Sequence, residues 1–499
     1  MTARHATDPD LWWHLRTGQW IVETGHIPHS DPFSFTKAGQ PWVSHEWLSE
    51  VIFYELWKYA GATALIVFSA IVTTAGFMLL YLRCLLHRRQ AYWAAAATAL
   101  GALASAASWG VRPQMFTFML ASLLLWLIET GEQRPNRLFW IPPLFLLWLN
   151  LHAGFALGPA LLFACGIGLL LETAIGSTPW RQTRPILVRI SLLLLACLAL
   201  VPLNPSGAQL YRYPFDTLRS AGMRSFIGEW FSPDFHQSLY RPLLLVCLLL
   251  LIAFAWSPSR PRGRVLVPLL LTFFAALDAV RHIPIFILLA MPVLAAALPV
   301  QSASPPFSQK RSGSRRFQPL FQVAVVVLMA AFAMAKWITL ARDQNASEAD
   351  HFPQKAADFL RLHGRDQLQT TPAQPLKVFV YYDWGGYAIW RLYPEARVFV
   401  DGRADLYGPD LHRDDLLRQF KTAVQLRNGW RQVLDRWQVD AVLLPPSCAL
   451  AQALALDRGW HSPFQDSGAV IFIRSLSTTK NAAENAPLSP HSSIAGATN

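Results

Sequence analysis

The chain reads as a polytopic α-helical membrane protein with a small soluble α/β domain near its C-terminal end. Three observations lead there. Of 499 residues, 53% are hydrophobic and only 15% are charged, whereas soluble domains carry about 25% charged residues. Apolar runs succeed one another from about residue 61 to 341, and a helix needs ~20 mostly apolar residues to cross the hydrocarbon. Beyond about 342, strand-like and helix-like segments alternate, as they do in a small α/β domain with a largely parallel sheet.

Residues 1–60 come first and form no span. Leu11, Trp12, Leu15, Trp20 and Ile21 make one apolar stripe, and Trp47, Leu48, Val51, Ile52, Tyr54 and Leu56 make another. Between them IPHSDPFSFTKAGQPWVS is rich in Pro, Gly and Ser, as a loop is. Trp-bearing amphipathic helices with mixed charge lie in the membrane interface rather than across it. About ten spans are expected in 61–341, over 61–82, 91–109, 114–130, 138–151, 155–175, 186–203, 241–256, 265–281, 284–300 and 319–341.

Charge between the spans orients them. Arg83, Arg88 and Arg89, then Arg134 and Arg137, Arg181 and Arg184, Arg260, Arg262 and Arg264, and Lys310, Arg311, Arg315 and Arg316 crowd one set of loops. The alternate short loops carry little beyond Arg112 and Arg281. The positive-inside rule puts the first set in the cytoplasm, so residues 1–60, the loop at 204–240 and the domain after 342 face outward. The net charge of +12 is therefore mainly an orientation signal. Scattered between spans, these cations do not form the single basic face that nucleic acid requires. No apolar segment precedes Asp8, although 1–60 is expected outside. Either this segment is translocated as a tail or a further helix lies upstream, and the upstream helix is the expectation. Cys84, Cys165, Cys197 and Cys247 lie in or beside spans, which leaves Cys448 alone outside and no intrachain disulfide framework.

In the outward domain, 342–475, LKVFVYY, ARVFVD, DAVLLPP and GAVIFIR are the expected strands. No Gly-rich phosphate loop follows the first of them, so nucleotide binding has no support. The tail 476–499 has no apolar period and is expected to be disordered.

Three groups of residues suggest chemistry at the outer surface. Asp8 and Asp10 stand two apart ahead of a Trp-rich helix, with His14 four residues further on. Such a pair can share a divalent cation or supply a general base, while Asp10 alone also suits a helix N-cap. In SHEWLSE, His45 and Glu46 open the second interfacial helix, where a negative group stabilises the N-terminus. No second His follows at the metalloprotease spacing. Arg112, Asn150 with His152, and Asp278 with Arg281 and His282 lie at outer ends of spans. The last three fall at i, i+3 and i+4, one helical face if the helix continues, where Asp278 and Arg281 can also pair structurally. All of these are expected on the side of Asp8 and Asp10, as an outward polar pocket. A transporter would gather such groups at mid-depth instead. Asp383-Trp-Gly-Gly and Asp401-Gly-Arg read as turns at strand ends, with acceptor binding as the alternative.

DPDLWWHLRTGQWI, IPHSDPFSFT, PWVSHEWLSEV, NLHAGF, EWFSPDF and YYDWGGYAIWRLYPEARVFVDGRADLYG resemble a poorly characterised group of bacterial membrane proteins classed with the GT-C type glycosyltransferases. The resemblance covers nearly the whole chain. It implies a GT-C-like fold and a multi-pass protein of the bacterial inner membrane with its C-terminal domain on the periplasmic or extracellular side. It implies transfer of a sugar from a polyprenyl-phosphate carrier to a glycan, lipid or protein acceptor on the outer face. Asp8 or Asp10 matches the acidic residue that serves such enzymes as base or metal ligand, with a divalent cation as the possible cofactor. His14, His45, Glu46, Arg112, Asn150, His152, Arg281 and His282 are the expected substrate-binding residues. The helix that precedes this acidic loop in the family is absent from residues 1–60. A lipid-linked polysaccharide polymerase or ligase, and a non-catalytic scaffold, are the alternatives.

Overall fold

The computed structural model describes residues 3–87, 90–220, 223–224, 227–256, 261–297, 317–368, 374–407 and 415–475, with side chains from Val327 onward in the segment that starts at 317. The tail and the cations Arg88, Arg89, Arg260, Lys310, Arg311, Arg315 and Arg316 lie outside the described residues. Two compact units divide the chain. One comprises Met1–Ser30 with Pro41–Glu348, and the other Asp31–Gln40 with Ala349–Asn499.

The first unit is helical. Helix α1 (Leu11–Thr24) carries the first apolar stripe, and it ends where Gly25 takes a left-handed conformation. Helix α2 (Trp47–His87) joins the second stripe to the first span. Its path breaks at Ala60 and Gly61, where Gly61 has φ 61° and ψ −151°, backbone space that only glycine enters freely. The two stripes meet where the Trp12 and Trp57 rings contact edge to face at 5.6 Å. Gly18 makes this approach possible, since a Cβ there would lie 2.1 Å from the Glu50 carbonyl oxygen.

The helices α3 (Ala91–Ala104), α4 (Gln114–Gly131), α5 (Ile141–Leu151), α6 (Leu157–Ala174), α7 (Trp180–Leu200), α8 (Tyr213–Arg219), α9 (Arg241–Trp256), α10 (Gly263–Asp278), α11 (Ile283–Ala297) and α12 (Phe317–His351) follow. Among the described residues six segments are both long and apolar enough to cross a membrane: Trp47–His87, Gln114–Gly131, Ala153–Ala174, Trp180–Leu203, Ser238–Trp256 and Val280–Ala297. The expected spans at 91–109, 138–151 and 265–281 form the shorter helices α3, α5 and α10, and 319–341 falls within α12. Val280–Ala297 is the core, 72% buried over its apolar window, whereas Trp180–Leu203 is only 11% buried and presents its side chains outward. Apolar side chains turned outward are stable in lipid and costly in water.

The second unit is built on a five-stranded sheet of order β2-β1-β3-β5-β4, with β1 Leu376–Val380, β2 Ala396–Val398, β3 Ala441–Leu444, β4 Trp460–Gln465 and β5 Val470–Arg474. Strand β1 runs parallel to β2 and β3, but β5 is antiparallel to β3 and β4. The sheet is thus mixed, where a largely parallel one was expected. Its extra strand, β4, is joined to β5 by a tight turn in which the Asp466 carboxylate accepts from the Gly468 and Ala469 N–H groups. A connection that short forces antiparallel pairing.

Residues 31–40 belong to this second unit. The Asp31 N–H donates to the Gln40 carbonyl at 2.9 Å, and Ser34 bridges Val398 at the end of β2. Asp31, Asp401, Arg403 and Tyr407 form a buried cluster. The Arg403 guanidinium donates to Asp31 Oδ1 and to Asp401 Oδ2, each at 2.7 Å, and the side chains of all three charged residues are 0% exposed. Tyr407 donates its hydroxyl to Asp401, and the Phe33 and Ser34 N–H groups donate to Asp31.

Candidate active site

The site lies in the first unit and consists of two linked charge clusters. The first centres on Arg112, between α3 and α4. Its Nε is 3.2 Å from Asp8 Oδ2 and its Nη2 is 2.9 Å from Asp10 Oδ2, while Nη1 pairs with Glu229 from the loop at 204–240. Asp10 stands at the N-cap of α1 but makes no side-chain cap bond. Its carboxylate accepts from the Trp13 indole at 3.2 Å, and its N–H donates to Asp8 at 3.0 Å. The capping role expected of Asp10 is therefore replaced by the pairing with Arg112. Burial pushes the Asp10 carboxyl up to about 7; Arg112 works against that rise and the Asp8 carboxylate adds to it. Asp8 is raised by burial as well. Burial would lower Arg112, but Asp8, Glu229 and Asp10 hold it above its ordinary value. Burial also acts to raise Glu229, yet Arg112 and Arg281 keep it below the usual carboxylate range.

The second cluster centres on Glu46, just ahead of α2. His45 Nε2 lies 3.1 Å from its carboxylate, His152 Nε2 3.5 Å and His14 Nε2 3.6 Å. Behind His14, Glu50 Oε1 faces Nδ1 at 3.3 Å and the Ser44 hydroxyl donates to Glu50 Oε2. Burial opposes ionisation of Glu46, but His152, His45 and His14 hold it below the usual carboxylate range. Burial pushes the His152 imidazole down to about 4, against the pull of Glu46, so the ring is neutral near pH 7. Its tautomer follows from its neighbours. The Trp148 indole donates to Thr117 Oγ1 at 2.8 Å, which leaves the Thr117 hydroxyl to donate to His152 Nδ1, also at 2.8 Å. The Gly154 N–H donates to the same nitrogen at 2.9 Å. His152 therefore carries its proton on Nε2, directed at Glu46.

Helix α10 stops at Asp278, and Ala279 is extended before a short 3₁₀ turn over Val280–His282. Asp278, Arg281 and His282 thus do not share the helical face expected of them. Asp278 pairs with Arg224 at 2.9 Å rather than with Arg281. Arg281 stacks over the Trp230 ring at 4.5 Å, within electrostatic reach of Glu229 and Glu46. Among the described residues it makes no ion pair, and the buried Trp230 indole N–H has no acceptor. His282 meets Trp230 edge to face and faces the Ala275 carbonyl at 3.2 Å. Asn150 accepts from Trp47 and Asn204 and donates to the Leu146 carbonyl, which ties it into the surrounding helices.

Of the expected residues, Asp8, Asp10 and Arg112 share one cluster, and His14, His45, Glu46 and His152 share the other. The expected site lacks Glu229, Trp230 and Thr117. Glu229 and Trp230 enter the sequence reading only within the motif EWFSPDF of the loop at 204–240. The donor set does not fit a resident divalent cation in this arrangement. Asp8, Asp10 and Glu229 all turn their oxygens onto the Arg112 guanidinium, and among the described residues no group of three His, Cys, Asp or Glu side chains can hold a metal. In the second cluster His152 offers Glu46 a proton rather than a lone pair.

No family model matches the chain, and no curated protein matches it. Solved structures do. The chain is similar to the archaeal oligosaccharyltransferase AglB from Archaeoglobus fulgidus in complex with an inhibitory peptide and a dolichol-phosphate, at a TM-score of 0.56 and 11% identity, over 97% of this chain and 71% of that one. The Archaeoglobus fulgidus oligosaccharyltransferase tethered by a disulfide to an acceptor peptide is similar at a TM-score of 0.53 and 13% identity, over 96% and 71% of the two chains. The chain therefore shares the fold of these oligosaccharyltransferase structures, in line with the GT-C-like fold that the motif resemblance implies.

Proposed function

We propose that the chain is a membrane glycosyltransferase that moves a sugar from a polyprenyl-phosphate carrier to an acceptor on the outer face of the bacterial inner membrane. The observation that carries this reading is the Asp8–Asp10 pair gathered on Arg112, with Arg281 held on Trp230 and free of any ion pair among the described residues. The GT-C fold supports it, as does the dolichol-phosphate bound to the similar AglB. Asp10, raised toward neutrality by burial, takes the proton of an acceptor hydroxyl. The acceptor oxygen bonds to the anomeric carbon as the carbon–phosphate oxygen bond breaks, through an oxocarbenium-like state. The carrier phosphate leaves with the electron pair, and Arg281 offsets its charge. The test is transfer of labelled sugar from a polyprenyl-phosphate donor by wild type, Asp8→Asn and Asp10→Asn at equal expression. Full activity in both variants removes the carboxylates from the mechanism.

A scaffold is the second reading, favoured by one observation: Arg112 already neutralises part of the acidic pair. In that case Asp10→Asn changes thermal stability and no transfer is seen with any carrier.

A further inference from the structure

At the end of the helical unit that bears the arginine-rich loops lies a cavity of about 710 Å³. Helices α2, α4, α6, α7, α9, α10 and α11 all contribute to its walls. Its wall is mainly apolar, and its charges are unbalanced: Arg83, Arg189, Arg262 and Arg264 face Glu129 and Glu132. Both glutamates are already engaged. Glu129 takes the Arg83 guanidinium at 2.6 Å, and Glu132 takes Arg264 at 2.6 Å and Arg262 at 3.7 Å.

Arg189 is left over. It lies within the apolar segment Trp180–Leu203, and among the described residues no carboxylate pairs with it. Ile186, Arg189, Ile190 and Leu193 all line the cavity, at the i, i+3, i+4 and i+7 spacing of one helical face. The helix therefore directs a cation and an apolar stripe into the same space. An unpaired cation inside a membrane span is costly and calls for a partner. The partner that satisfies both features is amphipathic, with an anionic head and a hydrocarbon tail. Basic pockets between spans are general sites for anionic lipid headgroups.

We propose that this cavity binds an anionic phospholipid, with its phosphate on Arg189 and Arg262 and an acyl chain along Ile186, Ile190 and Leu193. The site is separate from the Asp8–Arg112 and Glu46 clusters and does not depend on the transfer reading. The test is native mass spectrometry of the full chain released from detergent with phosphatidylglycerol, phosphatidylethanolamine or inorganic phosphate. Wild type retains phosphatidylglycerol at least tenfold more than phosphatidylethanolamine. Arg189→Gln and Arg262→Gln each lose that preference, Arg189→Lys restores it, and Arg219→Gln, outside the cavity, keeps it. Equal retention of the two lipids, or unchanged preference in both glutamine variants, overturns the proposal. Displacement of phosphatidylglycerol by millimolar inorganic phosphate assigns a free-anion site and overturns the lipid.

Discussion

Two arginines, each surrounded by carboxylates, stand in contrast. Arg403 in the second unit faces two aspartates, and every side chain in the group is closed off from solvent. The remaining lone pairs there are filled by backbone N–H groups and hydroxyls from Ser34 and Tyr407. Arg112 in the first unit faces three carboxylates, and its partners Asp8, Asp10 and Glu229 are 15%, 28% and 33% exposed. One guanidinium cannot neutralise three carboxylates, so this group keeps an acidic surplus that burial turns into a raised Asp10. A saturated, sealed cluster is a structural device. An unsaturated cluster that keeps partial contact with solvent can still exchange a proton or accept a new partner.

The sharpest break between the two is made at Arg403. Arg403→Met strands two buried aspartates and is expected to cost about 3–5 kcal/mol, read as a lowered unfolding midpoint. Asp10→Asn inverts that outcome: sugar transfer falls by about 10²–10⁴-fold, as loss of a general base does, with the melting temperature nearly unchanged. If Asp10→Asn melts as early as Arg403→Met, the two clusters do the same work and the contrast fails.

A smaller effect sharpens the argument through pH. Because burial raises Asp10 to about 7, its carboxyl is protonated and idle below that value, so transfer rises as pH increases through about 7. Glu229 contributes to that rise. In Glu229→Gln the rising limb therefore moves toward acid, whereas a purely structural Glu229 leaves its position fixed. The smallest effect belongs to Arg224→Ala. Its pair with Asp278 is 49% and 43% exposed and is expected to contribute no more than ~1 kcal/mol to stability.

The sequence made some of this visible and concealed the rest for physical reasons. The two apolar stripes and four of the five strands could be read because each is local in sequence. The break at Asp278 was hidden, since ALDAVRHIP keeps a helical spacing that Ala279 abandons only in the packed chain. Strand β4 was missed because WHSPFQ carries a Pro and no alternation, and it pairs by virtue of the turn after it. An apolar run such as 138–151 is longer than the helix it forms, the 11-residue α5, because the chain turns through a 3₁₀ segment first. Glu229 joins Arg112 across 117 residues, a distance at which a single sequence gives no pairing signal.

The contact between Asp31 and Arg403 closes across 372 residues. Because a chain is made from its N-terminus, the loop at 31–40 exists through most of synthesis without its counter-charge, and a chain released before Arg403 never acquires it. Formation of this pair is then among the last tertiary events open to the chain. A fragment beginning at Ala349 would inherit the opposite defect, a buried arginine lacking one of its two anions. Adding back a peptide of residues 28–43 should raise such a fragment's resistance to protease, and Asp31→Asn in the peptide should abolish the gain.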